Sequence, residues 1–196
     1  SGKKNTFPEI INSQKSQRYK HETRDTEQVH MCMGFPSVGN NDPDRFKINL
    51  LTCILGDGMS SRLFNEVREK RGLAYDVGGG SSHLYEVGSI FFYADLDRKN
   101  YREGIDIIKS ELNRCKTDLS ETELQKAKSL ISGKLKLRME DTRSISEWNL
   151  ANQMSYESHN SVEDIVSQLN IVTLGDLRDT ATNFLDLNKA SLALVG

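Results

Sequence analysis

What constrains this chain most is where its hydrophobic period changes. Val29, Met31, Met33 and Phe35 are apolar at every second position, and so are Ile90, Phe92, Ala94 and Leu96. Successive side chains of a strand point to opposite faces, so each run is a strand with one buried face. From Asn100 onward the spacing becomes helical: Tyr101, Ile105, Ile108 and Leu112 form one stripe, and Leu124, Ala127, Ile131 and Leu135 form the next. An earlier helical stripe, Phe46, Leu50, Leu51 and Ile54, separates the two strand regions. The last residues, Lys189 to Val195, return to a strand. Hairpins followed by segregated helices define an α+β fold, an antiparallel sheet with helices packed on one face.

Local signals punctuate this order. Residues 1–17 are rich in Lys, Asn, Ser and Gln and read as a linker or arm, leaving 18–196 as a single domain. Tyr19, His21 and Thr23 alternate before Arg24-Asp25-Thr26, so residues 18–35 read as a hairpin. Asp42-Pro43 opens a helix, with Asp42 as cap and Pro43 at the first position, where a missing N–H costs nothing. Tyr75 and Val77 begin a strand that runs through Gly78-Gly79-Gly80 and returns from Gly88, with residues 83–86 at the tip. Asn100/Glu103 and Ser120/Glu123 have capping-box spacing. The second of these starts a long, basic helix that either continues past Asp141-Thr142 or breaks there. Trp148 anchors the helix after it, and Ser161–Asp164 and Thr173–Asp176 each open a short amphipathic one.

Bulk composition excludes several roles. With 26 Lys and Arg against 28 Asp and Glu the net charge is −2, which offers no electrostatic case for nucleic acid or an anionic membrane surface. No apolar run approaches the roughly 20 residues of a membrane span. Cys32, Cys53 and Cys115 are an odd, scattered set. They read as idle thiols of a reducing compartment, so a cytoplasmic location is expected.

The stretch from Gly56 to Tyr75 joins a glycine turn, a short charged helix and the start of a strand. Ser60 or Ser61 can cap the helix, Leu63, Phe64 and Val67 give it an apolar face, and Gly72 can end it. Arg62–Glu66 and Glu66–Lys70 stand at i,i+4 and can pair. Arg68 has Phe64, Asn65, Arg71 and Gly72 as its helical neighbours, so no carboxylate on its own helix neutralises it. A guanidinium left free in this way, shortly before a strand Tyr, can face an anionic group.

The run Gly-Asp-Gly-Met-Ser-Ser-Arg-Leu-Phe-Asn-Glu-Val-Arg-Glu-Lys-Arg-Gly-Leu-Ala-Tyr resembles the signature of the C-terminal half of insulinase/pitrilysin-like zinc metallopeptidases. It is most similar to their mitochondrial-processing-peptidase-like branch, including bacterial members. A weaker similarity in element order extends from Thr26 to Gly196. The resemblance implies an α+β half-unit joined by a linker to a homologous N-terminal half.

Such a peptidase needs H-x-x-E-H, with both His binding zinc and the Glu acting as base. The histidines here are His21, His30, His83 and His159, and none forms the motif. His83-Leu84-Tyr85-Glu86-Val87 lacks the second His and falls on a hairpin tip. His30 and Cys32 share a strand face but make no cluster. No metal or other cofactor is therefore expected in this chain. The resemblance puts zinc in the complementary N-terminal half. There is no Gly-x-Ser-x-Gly elbow and no phosphate-binding glycine motif. Asp141, Glu140 and Glu147 read as a solvated helical face.

In the resembled family an Arg and a Tyr at this spacing reach the zinc site of the other half, hold substrate backbone and steady the tetrahedral intermediate. Arg68 and Tyr75 occupy the matching positions. Gly78, Gly79 and Gly80 leave a strand without side chains, where a peptide substrate can lie close. The expectation is a zinc-free C-terminal half of a metalloendopeptidase, inactive alone, which closes a peptide-sized chamber with its N-terminal partner. A lone half would expose apolar surface and can pair with a second copy. The other readings are a non-catalytic scaffold or recognition subunit, and a stand-alone domain binding peptides along its sheet edge.

Overall fold

The computed structural model describes residues 16–155 and 160–196. Of the expected arm only Ser16 and Gln17 fall within them, and His159 lies outside.

Five strands form one sheet: β1 (Arg18–Glu22), β2 (Gln28–Val38), β3 (Ala74–His83), β4 (Val87–Asp97) and β5 (Ser191–Val195), in the order β1-β5-β2-β4-β3. Strand alternation reads out directly in β2 and β4, where Met31 pairs with Ala94 and Met33 with Phe92 on the buried face. The helices α1 (Asp44–Gly56), α2 (Tyr101–Arg114), α3 (Glu121–Arg138), α4 (Thr142–Ser155), α5 (Val162–Ile171) and α6 (Leu174–Phe184) follow the expected order. A π-helix spans Phe64–Glu69 and a 3-10 turn Leu187–Lys189. The α+β class is as expected.

The expected hairpin at residues 18–35 is not made. β5 enters between β1 and β2, antiparallel to β2 and parallel to β1. The sheet is thus mixed at this edge. Alternation assigns a strand's faces, but it carries no information on which neighbour the strand pairs with.

α1 lies at the centre. Its Ile48, Leu50, Leu51 and Leu55 are fully buried and point around the whole helix, because the sheet covers one side and α3, α5 and α6 the other. The helix starts one residue later than read, with Pro43 at the cap position, while Asp42 Oδ1 accepts the Asp44 N–H at 2.8 Å. Capping boxes form at Ser120/Glu123, Ser161/Asp164 and Thr173/Asp176. The one expected at Asn100/Glu103 does not, because Asn100 (φ −118°, ψ 10°) is outside the extended conformation that lets a capping side chain fold back. Asp97 organises that turn instead, accepting the Lys99 N–H at 2.8 Å on Oδ1.

The helix C-terminus of α1 meets β3 at two glycines. A Cβ on Gly56 would stand 2.4 Å from the Gly79 nitrogen, so neither backbone leaves room for a side chain between them.

Candidate functional site

The candidate site is built on the segment that leads from α1 into β3. Ser61 is buried, and its Oγ accepts the Phe64 N–H at 3.4 Å, the capping role expected of Ser60 or Ser61. Leu63 and Val67 are fully buried in the core, four residues apart on one face. The segment then widens into π geometry: the Lys70 N–H reaches back five residues to the Asn65 carbonyl at 2.9 Å. Gly72 ends it at φ +62°, where L side chains are strained. Its N–H donates to the Arg68 carbonyl, and that of Leu73 to Val67, both at 2.9 Å.

The wider turn changes which side chains meet. Arg71, at i+5, lies beside Glu66 and donates to its Oε2 at 2.7 Å, while Lys70 donates to Oε1 at 2.5 Å. The expected Arg62–Glu66 pair is absent. Arg62 turns toward the α2–α3 junction and donates from Nε to Glu123 Oε1 and from Nη1 to Asp118 Oδ1, each at 2.5 Å. Glu66 is already occupied by Lys70 and Arg71, and two carboxylates at the junction compensate the partly buried guanidinium of Arg62. Burial works to raise the Glu123 pKa, but the bonds from Arg62 and Ser120 outweigh it and bring it down to about 2.

Three of the four cations of this segment thereby have carboxylate partners, and Arg68 is left. Among the described residues no carboxylate and no side-chain hydrogen bond engages its guanidinium. It is exposed, with its central carbon 4.9 Å from the Phe64 ring centroid and 5.9 Å from that of Tyr75. Such contacts with aromatic faces are worth about 0.5–1 kcal/mol at exposed sites, enough to bias the side chain while leaving its N–H donors available. Tyr75 is 74% exposed. It is the extra residue of a β-bulge: Ala74 pairs with Leu96 and Asp76 with Asp95, so Tyr75 has no partner on β4. Bulges of this kind re-aim a side chain. The structure therefore brings Arg68 of the π-helix up to Tyr75 of the edge strand, with no carboxylate on the guanidinium among the described residues.

Gly78, Gly79 and Gly80 stand opposite Tyr93, Phe92 and Phe91. Cross-strand rings fill the missing side-chain space: a Cβ would stand 2.7 Å from the Tyr93 hydroxyl at Gly78, 2.3 Å from Phe92 Cδ1 at Gly79 and 3.2 Å from Phe91 Cζ at Gly80. The three glycines thus have a packing reason independent of any ligand. Gly79 and Gly80 also border a cleft of about 320 Å³ between β3, α1 and α3, whose rim carries Lys134 and Arg138.

The described residues do not fit a zinc ion. No group of three or more His, Cys, Asp and Glu converges among them. His21 Nε2 is 3.1 Å from the Gly196 carbonyl, and His30 Nδ1 is 2.5 Å from Asp95 Oδ1. His83 is held between the Val38 carbonyl at 2.8 Å and Asn49 Oδ1 at 3.0 Å. No helix among the described residues is long and apolar enough to cross a membrane.

Sequence reading missed the π geometry, the bulge at Tyr75, the Phe64 platform and the aromatic cover of the glycines. The last was signalled by the consecutive Phe91-Phe92-Tyr93 in the strand returning past Gly78-Gly79-Gly80.

A family model described as the Peptidase M16 inactive domain matches residues 1–131. The chain belongs to the M16 peptidase family. As an M16 inactive domain it is 33% identical over 174 residues to an uncharacterized zinc protease of Streptomyces coelicolor, covering 88% of this chain and 38% of that protein. It is 32% identical over 152 residues to the uncharacterized zinc protease YmxG of Bacillus subtilis, covering 77% and 37%. The M16 chain thus spans well under half the length of these relatives. The fold matches that of a protease from Helicobacter pylori with a TM-score of 0.83 at 17% identity, over 98% of this chain and 49% of that one. A Peptidase M16 inactive domain from Pseudomonas fluorescens gives 0.80 at 20% identity, over 92% and 44%.

Proposed function

We propose that this M16 inactive domain is the C-terminal, zinc-free half of a zinc metalloendopeptidase. It is inactive by itself and pairs with an N-terminal half that carries the metal and the general base, closing a chamber around an unfolded peptide. Arg68 and Tyr75 reach across to the scissile peptide. Attack of water on a peptide carbonyl builds negative charge on oxygen. The free guanidinium of Arg68 and the phenol of Tyr75 donate hydrogen bonds to that oxygen or to adjacent substrate carbonyls. The observation that carries this reading is the uncompensated guanidinium of Arg68 against the ring of Tyr75. An exposed cation with no carboxylate partner among the described residues, held next to a second donor that a bulge re-aims, suits an anion that forms only during reaction.

Gly79 and Gly80 extend the reading. The cleft they border lets a substrate backbone lie against β3, with Lys134 and Arg138 at its rim.

The test reconstitutes this chain with its complementary half and assays an unstructured peptide. Removing a preorganised donor from a developing oxyanion lowers kcat by about 10²–10³, so Arg68→Ala should lose activity on that scale. Tyr75→Phe should lose it in the same direction with the ring retained. Gly80→Val adds bulk beside the Phe91 ring on β3 and should raise KM by holding a peptide backbone off the strand. Full activity in both Arg68→Ala and Tyr75→Phe removes the catalytic role, and an unchanged KM in Gly80→Val removes the glycines from the site.

A further inference from the structure

We infer that Arg62 is a positioning residue, which sets where Arg68 points without touching substrate. The inference rests on the reading of Arg68 as a catalytic contact.

Arg62 and Arg68 lie on the same helical segment. The Arg62 side chain is only 12% exposed. Its Nε and Nη2 fork onto the Glu123 oxygens at 2.5 and 2.9 Å, and its Nη1 and Nη2 bond Asp118 Oδ1 at 2.5 Å and the Asp118 carbonyl at 3.0 Å. Neither carboxylate is free to follow if the guanidinium moves. Glu123 Oε2 already accepts the Ser120 N–H at 2.9 Å and its hydroxyl at 2.8 Å at the start of α3. Asp118 Oδ2 accepts from Arg114 Nε at 3.1 Å, and Arg114 donates to the buried Glu111. The fork is therefore anchored in the junction of α2 and α3.

On another face of the segment, Leu63 and Val67 are fully buried. With apolar anchors on one side and the Arg62 fork on the other, the helix cannot turn about its axis. That lock matters because the segment is a π-helix, a rare form that occurs mostly as a single widened turn within α-helices. Rewinding the widened turn would rotate every side chain after it. Arg68 would then leave the Phe64 and Tyr75 rings, to which only weak contacts hold it.

A Lys at this position keeps the charge but lacks the planar fork, so Arg62→Lys loosens the lock without emptying the site of cation. The experiment uses the reconstituted two-half enzyme and compares Arg62→Lys, Arg68→Ala and the double variant, each assayed well below its melting temperature. A displacement of about 1 Å remote from the chemistry can cost about 100-fold. The expected result is a 10- to 100-fold fall in kcat for Arg62→Lys, on the scale of such a displacement, with KM held within about twofold. Added to Arg68→Ala, the same substitution should cause no further loss, because the side chain it positions is gone. A wild-type kcat in Arg62→Lys overturns the inference. So does an equal fold-loss in both backgrounds, which marks a purely structural role while Arg68 remains catalytic. Full activity in Arg68→Ala overturns the reading of Arg68 and this inference with it.

Discussion

Replacing Gly56 by Ala tests the packing that holds the site's strand in place. Gly56 is the last residue of α1, and helix propensity alone favours Ala there by up to ~1 kcal/mol. Packing opposes it. The new Cβ would stand 2.4 Å from the Gly79 nitrogen and 2.7 Å from its Cα, and both are backbone atoms of β3 that no rotamer change can move aside. To regain ordinary contact, α1 and β3 must separate by about 1 Å along a buried seam, and overpacking of this kind costs about 1–3 kcal/mol. Set against the propensity gain, the net expectation is a destabilisation of about 1 kcal/mol. For a domain of this size that lowers Tm by about 2–4 °C. Gly133, inside α3, is the control: a Cβ there meets nothing within 4 Å. Gly133→Ala should therefore stabilise by about 0.5–1 kcal/mol. Both are read by urea denaturation and thermal melting followed by circular dichroism. If Gly56→Ala melts at or above the wild-type temperature while Gly133→Ala is stabilised, propensity decides at both sites and the close-approach argument is wrong.

Two further predictions concern buried charge and pH. The Lys128 Nζ is buried and donates to the carbonyls of Asn170 at 2.8 Å and Val172 at 2.7 Å, closing the end of α5. Lys128→Met keeps the stem but strands both oxygens, and should cost about 2–3 kcal/mol; a denaturation midpoint equal to wild type would refute the capping role. Glu123 is depressed to about 2 from an ordinary value of 4.5. A lowered carboxylate contributes stability that is full above its unfolded pKa and lost as pH falls through the folded one. The wild-type chain should therefore lose stability between about pH 4.5 and 2, and Glu123→Gln should show a shallower acid limb in that window; parallel acid limbs would refute the assignment.

Much of the site was legible because its logic is local. That Arg68 has no carboxylate within reach on its own helix follows from the residues around it, and it holds even though the helix is π rather than α. Gly72 as the helix end was legible for the same reason, since its left-handed φ of +62° answers to glycine alone. What was not legible depends on partners distant in the chain. Arg62 looks equally able to pair with Glu66, and only the approach of α3 offers it Glu123, 61 residues away. The bulge that re-aims Tyr75 exists only relative to β4, because a lone strand has no register to break.

The sequence by itself determined the fold class, the strand faces and the caps at Ser120, Ser161 and Thr173, all set by side chains within a few residues of one another. The tertiary structure decided that β5 separates β1 from β2, that the glycine triplet is roofed by rings of β4, and that Arg68 stands over Tyr75. Alternation and helical spacing say which side of an element is apolar. Only the packed chain fixes what lies against that side, because the choice of neighbour is a competition among contacts far apart in sequence.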